Sequence, residues 1–156
     1  MARPVFASKK LEQAFDKLRQ EVLCLPRNKQ DLAEEVVKMR LKMREHLGSQ
    51  QVEIFNLKQD VGGIADIEFL AQYLSLAYSQ EFPAMAVWSD NIRIFETAQE
   101  LQILSKTELQ QLIQAYITYR NRGHQHTLKC KKAEVPAQLF TQEREQVIAI
   151  WQKFLG

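Results

Sequence analysis

The sequence predicts an all-α fold, a bundle of about six helices around one unusually apolar helix at residues 64–79. Three observations predict it. Glycine and proline are scarce, with five and four copies in 156 residues, whereas a sandwich or barrel needs many turns. Apolar residues recur at spacings of three and four, the period of one helix face. Residues able to cap a helix stand where several of these stretches begin. The length suits a single domain over residues 1–156 with a core of its own.

The elements follow in order. Residues 8–25 carry a stripe of Leu11, Phe15, Leu18, Val22 and Leu25, and Pro26 ends that helix. Residues 29–47 carry Leu32, Val36, Met39, Met43 and Leu47. Their acids come early (Asp31, Glu34, Glu35) and their bases late (Lys42, Arg44, His46), which suits the helix dipole, and Gly48 is a C-cap candidate. Residues 48–63 read as a glycine-containing connector, within which residues 52–57 are too short to assign. The helix at 64–79 leaves a narrow polar stripe of Glu68, Gln72, Ser75 and Ser79, so it belongs at the centre. Asp90 is placed to cap a helix running to about Leu101. Ser105-Lys106-Thr107-Glu108 is a capping box opening a helix towards Gly123. Thr141 is the expected N-cap of the last helix, which carries Val147, Ile150, Trp151 and Phe154.

Composition narrows the function. A net charge of +2 gives no electrostatic argument for nucleic acid or a membrane surface. Cys24 and Cys130 stand far apart and in no CxxC pattern, which suits a reducing compartment, and a cytoplasmic location is expected. No apolar run approaches the ~20 residues of a membrane span, and the first residues carry no signal-peptide core.

Three features could carry chemistry. The Gly62-Gly63 turn feeds a helix N-terminus, where free amides and partial positive charge can hold a phosphate, with Lys58 as a nearby cation. The alternative is a tight turn before a buried helix. Asp66 falls on the face of Leu70, Tyr73 and Ala77, and a carboxylate there needs a partner, with Arg93, Arg120 and Arg122 as candidates. Asp66 and Glu68 point roughly 200° apart and cannot share one ion, whereas Glu68 and Gln72 share a face. The third is a basic stretch of Arg120, Arg122, Lys129, Lys131 and Lys132 with His124 and His126, which reads as a phosphate or acidic-partner contact or as a solvated helix end. Two-metal nucleotidyl transfer needs closely spaced carboxylates. Gly48-Ser49 is followed by Asp60, but position 62 is Gly62, so the Asp-x-Asp is missing and no catalytic or metal-binding residue is expected.

Lys58-Gln59-Asp60-Val61-Gly62-Gly63-Ile64-Ala65-Asp66-Ile67-Glu68-Phe69, followed by Gln72-Tyr73-Leu74, resembles the signature of bifunctional glutamine synthetase adenylyltransferase/adenylyl-removing enzymes. The likeness continues through Trp88-Ser89-Asp90-Asn91-Ile92-Arg93-Ile94, Ala115-Tyr116, Arg120, Phe140-Thr141-Gln142-Glu143-Arg144-Glu145 and Trp151-Gln152-Lys153. Upstream it covers Val37-Lys38-Met39-Arg40 and Lys42-Met43-Arg44, while Gly123 departs from the acidic residue common before the family's histidine. The wording Asp66-Ile67-Glu68-Phe69 is similar to the C-terminal, adenylylating half of that family. Ala2-Arg3 resembles the end of a segment leaving the catalytic core.

The resemblance implies a helical domain following an absent nucleotidyltransferase core. It implies a parent enzyme that uses ATP and Mg²⁺ to transfer AMP to a tyrosine of glutamine synthetase, under control of the PII signal protein. The fragment alone would be inactive and hold neither cofactor. Lys58, Gly62, Gly63, Asp66 and Glu68 would bind nucleotide or line the cleft. A free-standing helical interaction module and, less in keeping with the charge, a nucleic-acid binder are the rival readings.

Overall fold

The computed structural model describes residues 8–49 and 51–156; Ala2-Arg3 and Gln50 lie outside them. Its six described α-helices are α1 (Lys9–Leu23), α2 (Lys29–Leu47), α3 (Ile64–Tyr78), α4 (Asn91–Glu100), α5 (Lys106–Leu128) and α6 (Thr141–Leu155). A 3-10 turn, Pro83–Ala86, joins α3 to α4. The predicted all-α bundle is therefore observed, with one addition. Residues 54–56 and 134–136, strands β1 and β2, form an antiparallel ribbon pairing Phe55 with Val135. Both of those side chains are buried, so the ribbon closes one end of the core.

The caps set most helix starts. Ser8 accepts from the Leu11 amide, Asn28 from the Gln30 amide, and Asp90 from the Arg93 amide. At α5 the box is reciprocal: Glu108 N donates to Ser105 Oγ at 3.2 Å, and Ser105 N donates to Glu108 Oε2 at 2.7 Å. Partial burial pushes the Glu108 pKa up, but hydrogen bonds from Lys153 and Ser105 outweigh it and hold the carboxyl below its ordinary value. The last helix departs from expectation. Its N-cap is Phe140, at a left-handed φ of 63°, and Thr141 is the first helical residue. The Phe140 ring packs edge-on to Tyr119 at 5.7 Å, so packing rather than a polar cap sets this start. α5 also runs through Gly123 to Leu128.

α3 is the centre, as predicted. It packs against α2, α4, α5, α6 and the 3-10 turn, and Ile67, Leu70, Ala71 and Leu74 are fully buried. Its polar stripe is not a continuous solvent face, however. Ser75 and Ser79 are buried, and Ser75 Oγ donates to Met85 O at 3.0 Å, tying the 3-10 turn to the core.

Two apolar stripes are not placed as their spacing suggests. α1 buries none of its residues. In α2, Met39 and Leu47 are exposed, while Arg40 is fully buried. Leu32 and Val36 pack against the core as expected, so the departure is local: Arg40 takes the inward place of Met39, and the reason lies in the site below.

Candidate functional site

The predicted signature folds into a braced turn and the first part of α3. Asn56 Oδ1 accepts from the amides of Lys58 at 3.0 Å and Gln59 at 3.1 Å, which sets the turn after β1. Asp60 then ties the loop to the end of α2. Its Oδ1 accepts from Ser49 N and its Oδ2 from Asn56 N, both at 2.7 Å.

The two glycines fit where no side chain would. Gly62 has φ +77°, and a Cβ there would stand 2.9 Å from Arg144 O on α6. A Cβ on Gly63 would stand 2.8 Å from Leu57 O. The amides at this helix start turn onto the chain itself. Gly63 N donates to Asp60 O and Ile64 N to Leu57 O, both at 2.9 Å, and Ala65 N to Lys58 O at 3.0 Å. Gly62 N donates to Asp66 Oδ2 at 2.6 Å. The turn therefore presents its shape and the Lys58 side chain, rather than open amides, to a ligand.

Asp66 is buried, as its position on the apolar face implied. Its partners are not the arginines expected from α4 and α5. Arg40 Nε donates to Asp66 Oδ1 at 2.6 Å, and Arg44 Nη2 approaches the same oxygen at 3.5 Å. Arg40 Nη2 also donates to Gln59 O at 2.6 Å. A buried carboxylate without a cation is costly, and here Arg40 rather than Met39 occupies the interior place on α2. Arg40 and Arg44 sit one turn apart on a single face, and the repeated Met-Arg pairs of α2 were the signal for them.

Glu68 lies on another side of α3, half-buried. Tyr116 Oη donates to Glu68 Oε1 at 3.3 Å. The same hydroxyl accepts from Asn91 Nδ2 at 3.0 Å and from Arg120 Nη1 at 3.3 Å. One hydroxyl thus joins α3, α4 and α5, and the Arg120 guanidinium, on an exposed residue, lies 5.4 Å from the Tyr116 ring centre. Nearby on α4, exposed Arg93 covers the Trp88 ring at 4.3 Å. Neither Asn91 nor Tyr116 was singled out from spacing, because they meet Glu68 only through the packing of three helices.

The structure thus brings Lys58, Gly62, Gly63 and Asp66 into one braced unit and sets Glu68 apart from it. Lys58 is exposed, and its Nζ makes no ion pair among the described residues. The basic stretch after Tyr119 is mostly a solvated helix end, with His126 Nδ1 2.8 Å from Lys132 O. An open groove of about 770 Å³ lies along α2 beside Leu155, but none of the predicted site residues lines it.

A family model described as GlnD PII-uridylyltransferase matches residues 30–152. Two curated relatives are each named bifunctional glutamine synthetase adenylyltransferase/adenylyl-removing enzyme. The one from Mannheimia haemolytica is 49% identical over 154 residues, 99% of this chain and 16% of the relative. The one from Vibrio parahaemolyticus is 46% identical over 155 residues, again 99% of this chain and 16% of the relative. The chain spans about a sixth of the length of these relatives. The resemblance read from residues 58–72 is thereby matched over nearly every residue, and the chain belongs to the GlnD PII-uridylyltransferase family, in a form that corresponds to one region of the bifunctional glutamine synthetase adenylyltransferases.

Proposed function

We propose that this chain is the helical domain that follows the nucleotidyltransferase core of a glutamine synthetase adenylyltransferase. The whole protein transfers AMP from ATP to a tyrosine of glutamine synthetase in the cytoplasm and responds to the PII signal protein. The observation that carries this reading is the likeness to two such enzymes over 99% of the chain. The braced turn supports it, because it holds the exposed Lys58 on a loop whose backbone is hydrogen-bonded on both sides of that residue.

Mg²⁺ and the attacking chemistry belong to the core in this reading. The two aspartates of the signature do not fit a metal ion. Asp60 gives both oxygens to the amides of Ser49 and Asn56, and Asp66 gives its own to Arg40 and Gly62. Among the described residues no three His, Cys, Asp or Glu side chains group to hold a metal, and no described helix is long and apolar enough to cross a membrane. The domain's part is to form a wall of the nucleotide cleft. Gly62, Gly63 and Asp66 stand behind that wall and shape it, Lys58 offers a cation to a phosphate, and Glu68 holds the Tyr116 cluster.

A second reading has one observation in its favour, since the matching family description names uridylyl transfer to PII. One experiment separates the two. The full-length polypeptide is incubated with Mg²⁺, glutamine synthetase and PII, with labelled ATP in one sample and labelled UTP in another. Labelled AMP on glutamine synthetase is expected, and labelled UMP on PII instead overturns the proposal. The isolated chain is expected to transfer neither nucleotide.

A further inference from the structure

α1 touches the 3-10 turn yet leaves most of a well-formed apolar face exposed, with only Phe15 of that face half-buried. Leu11, Phe15, Leu18, Val22 and Leu25 repeat at spacings of four, three, four and three, the pattern of a seam that receives another helix. Leu11 is 62% exposed, Leu18 59% and Val22 47%. Isolated helices of this length are marginal in water, yet both ends are fastened. Ser8 caps the start. At the other end Arg27 donates to Val22 O, Leu23 O and Leu25 O at 2.9, 2.7 and 3.0 Å. Arg19 Nη2, beside the seam, donates to Val87 O at 2.8 Å and fixes how α1 lies on the 3-10 turn. The helix is held in place with most of its apolar face outward.

Two observations point to what covers that face. The seam is short: a single 15-residue helix offers well under the ~800 Å² per partner of a stable untethered interface. A segment of the same polypeptide needs far less area, because linkage raises its effective concentration. The relatives match this chain over 99% of its residues, a span that takes in α1, and carry about five-sixths of their length outside it. We infer that the α1 seam docks an apolar helix from the remainder of a longer polypeptide, as the joint through which this domain is oriented on its neighbour. The inference rests on the reading of the chain as part of a larger nucleotidyltransferase.

Amide hydrogen exchange tests it, reading α1 in the 156-residue chain and in the full-length polypeptide. The expected result is at least a hundredfold slower exchange of the α1 amides in the full-length form. Leu18→Glu there should restore the fast rate while α3 amides stay protected. Leu11→Glu serves as an independent second variant, since both positions are exposed and neither charge disturbs the core. Equal rates in the two forms overturn the inference. So does α1 protection in the short chain that grows with concentration, which would make a second copy the occupant. Because the readout is protection and not turnover, a protein that proves to transfer UMP, or nothing, leaves this result intact.

Discussion

Asp66 and Glu68 are two residues apart on the same helix and live in opposite circumstances. Asp66 is enclosed, held by Arg40, Arg44 and the Gly62 amide. Glu68 is half-buried and reached through one tyrosine hydroxyl that it shares with Asn91 and Arg120. The first carboxylate is committed to architecture: it pins α2 to the start of α3 and, through Gly62, fixes the turn that carries Lys58. The second sits in a cluster whose arginine is still exposed. A signature motif can therefore hold a structural half and an accessible half, and sequence likeness does not separate them.

Removing the Asp66 carboxylate is the most severe way to break the contrast. Asp66→Ala leaves Arg40 buried without its counter-charge, and loss of one partner of a buried pair costs about 3–5 kcal/mol. Chemical denaturation of the isolated chain should show that loss. Arg40→Met together with Asp66→Leu should recover much of it, since apolar replacement of a whole buried pair is often close to neutral. A double variant as unstable as the single one would mean that the pair has a shape no apolar residues reproduce. Glu68→Ala, by comparison, should cost under ~1 kcal/mol, the size of one partly exposed hydrogen bond.

Gly62→Val comes next. It adds a β-branched side chain at a φ of +77° and drives a Cβ to within 2.9 Å of Arg144 O. The expected loss is ~2–3 kcal/mol, from left-handed strain and from displacing α6. Gly62→Ala should lose less, and Gly123→Ala should gain up to ~1 kcal/mol, because Gly123 lies within α5 with open space around it. Thermal unfolding of the three variants ranks them directly.

The contrast between the two carboxylates was only half visible in the sequence. Helical periodicity placed Asp66 on the apolar face of α3 and pointed Glu68 elsewhere, and both placements hold. The six helices were legible for the same local reason, with caps such as Asp90 and Ser105 marking their starts. What periodicity could not show was partnership across the chain. Arg40 is 26 residues from Asp66, and it was hidden because Met39 beside it completes a better apolar stripe. Free energy decides differently: an unpaired buried carboxylate costs more than an exposed methionine. The ribbon between residues 54–56 and 134–136 joins segments too short and too distant to announce their pairing. α1 is the opposite case: the helix forms where its spacing implied, yet most of its apolar stripe is exposed among the described residues.

The Tyr116 cluster sharpens the comparison at smaller energy. Tyr116→Phe deletes the hydroxyl that gathers Glu68, Asn91 and Arg120 but leaves the ring in place, so ~1 kcal/mol of stability is at stake. In the full-length protein a larger effect on turnover than on folding is expected, because Arg120 loses its anchor. Tyr119 provides the control. Its hydroxyl is buried with no described partner, and burial raises its pKa, so it stays neutral and carries no comparable network. Tyr119→Phe should leave turnover unchanged.

Lys58 has the smallest expected effect on the fold. Its side chain is exposed, whereas its backbone is fixed at both ends, by Asn56 Oδ1 on its amide and by the Ala65 amide on its carbonyl. Lys58→Ala touches neither hydrogen bond, so stability should stay within ~0.5 kcal/mol of the parent chain. If the braced turn exists to present a cation, that variant in the full-length polypeptide should use ATP less well, with KM for ATP rising more than kcat falls. Lys58→Arg should restore part of the loss because it keeps the charge on the same rigid turn. Unchanged kinetics in Lys58→Ala would remove the phosphate role and leave the whole turn, like Asp66 behind it, as scaffolding for α3.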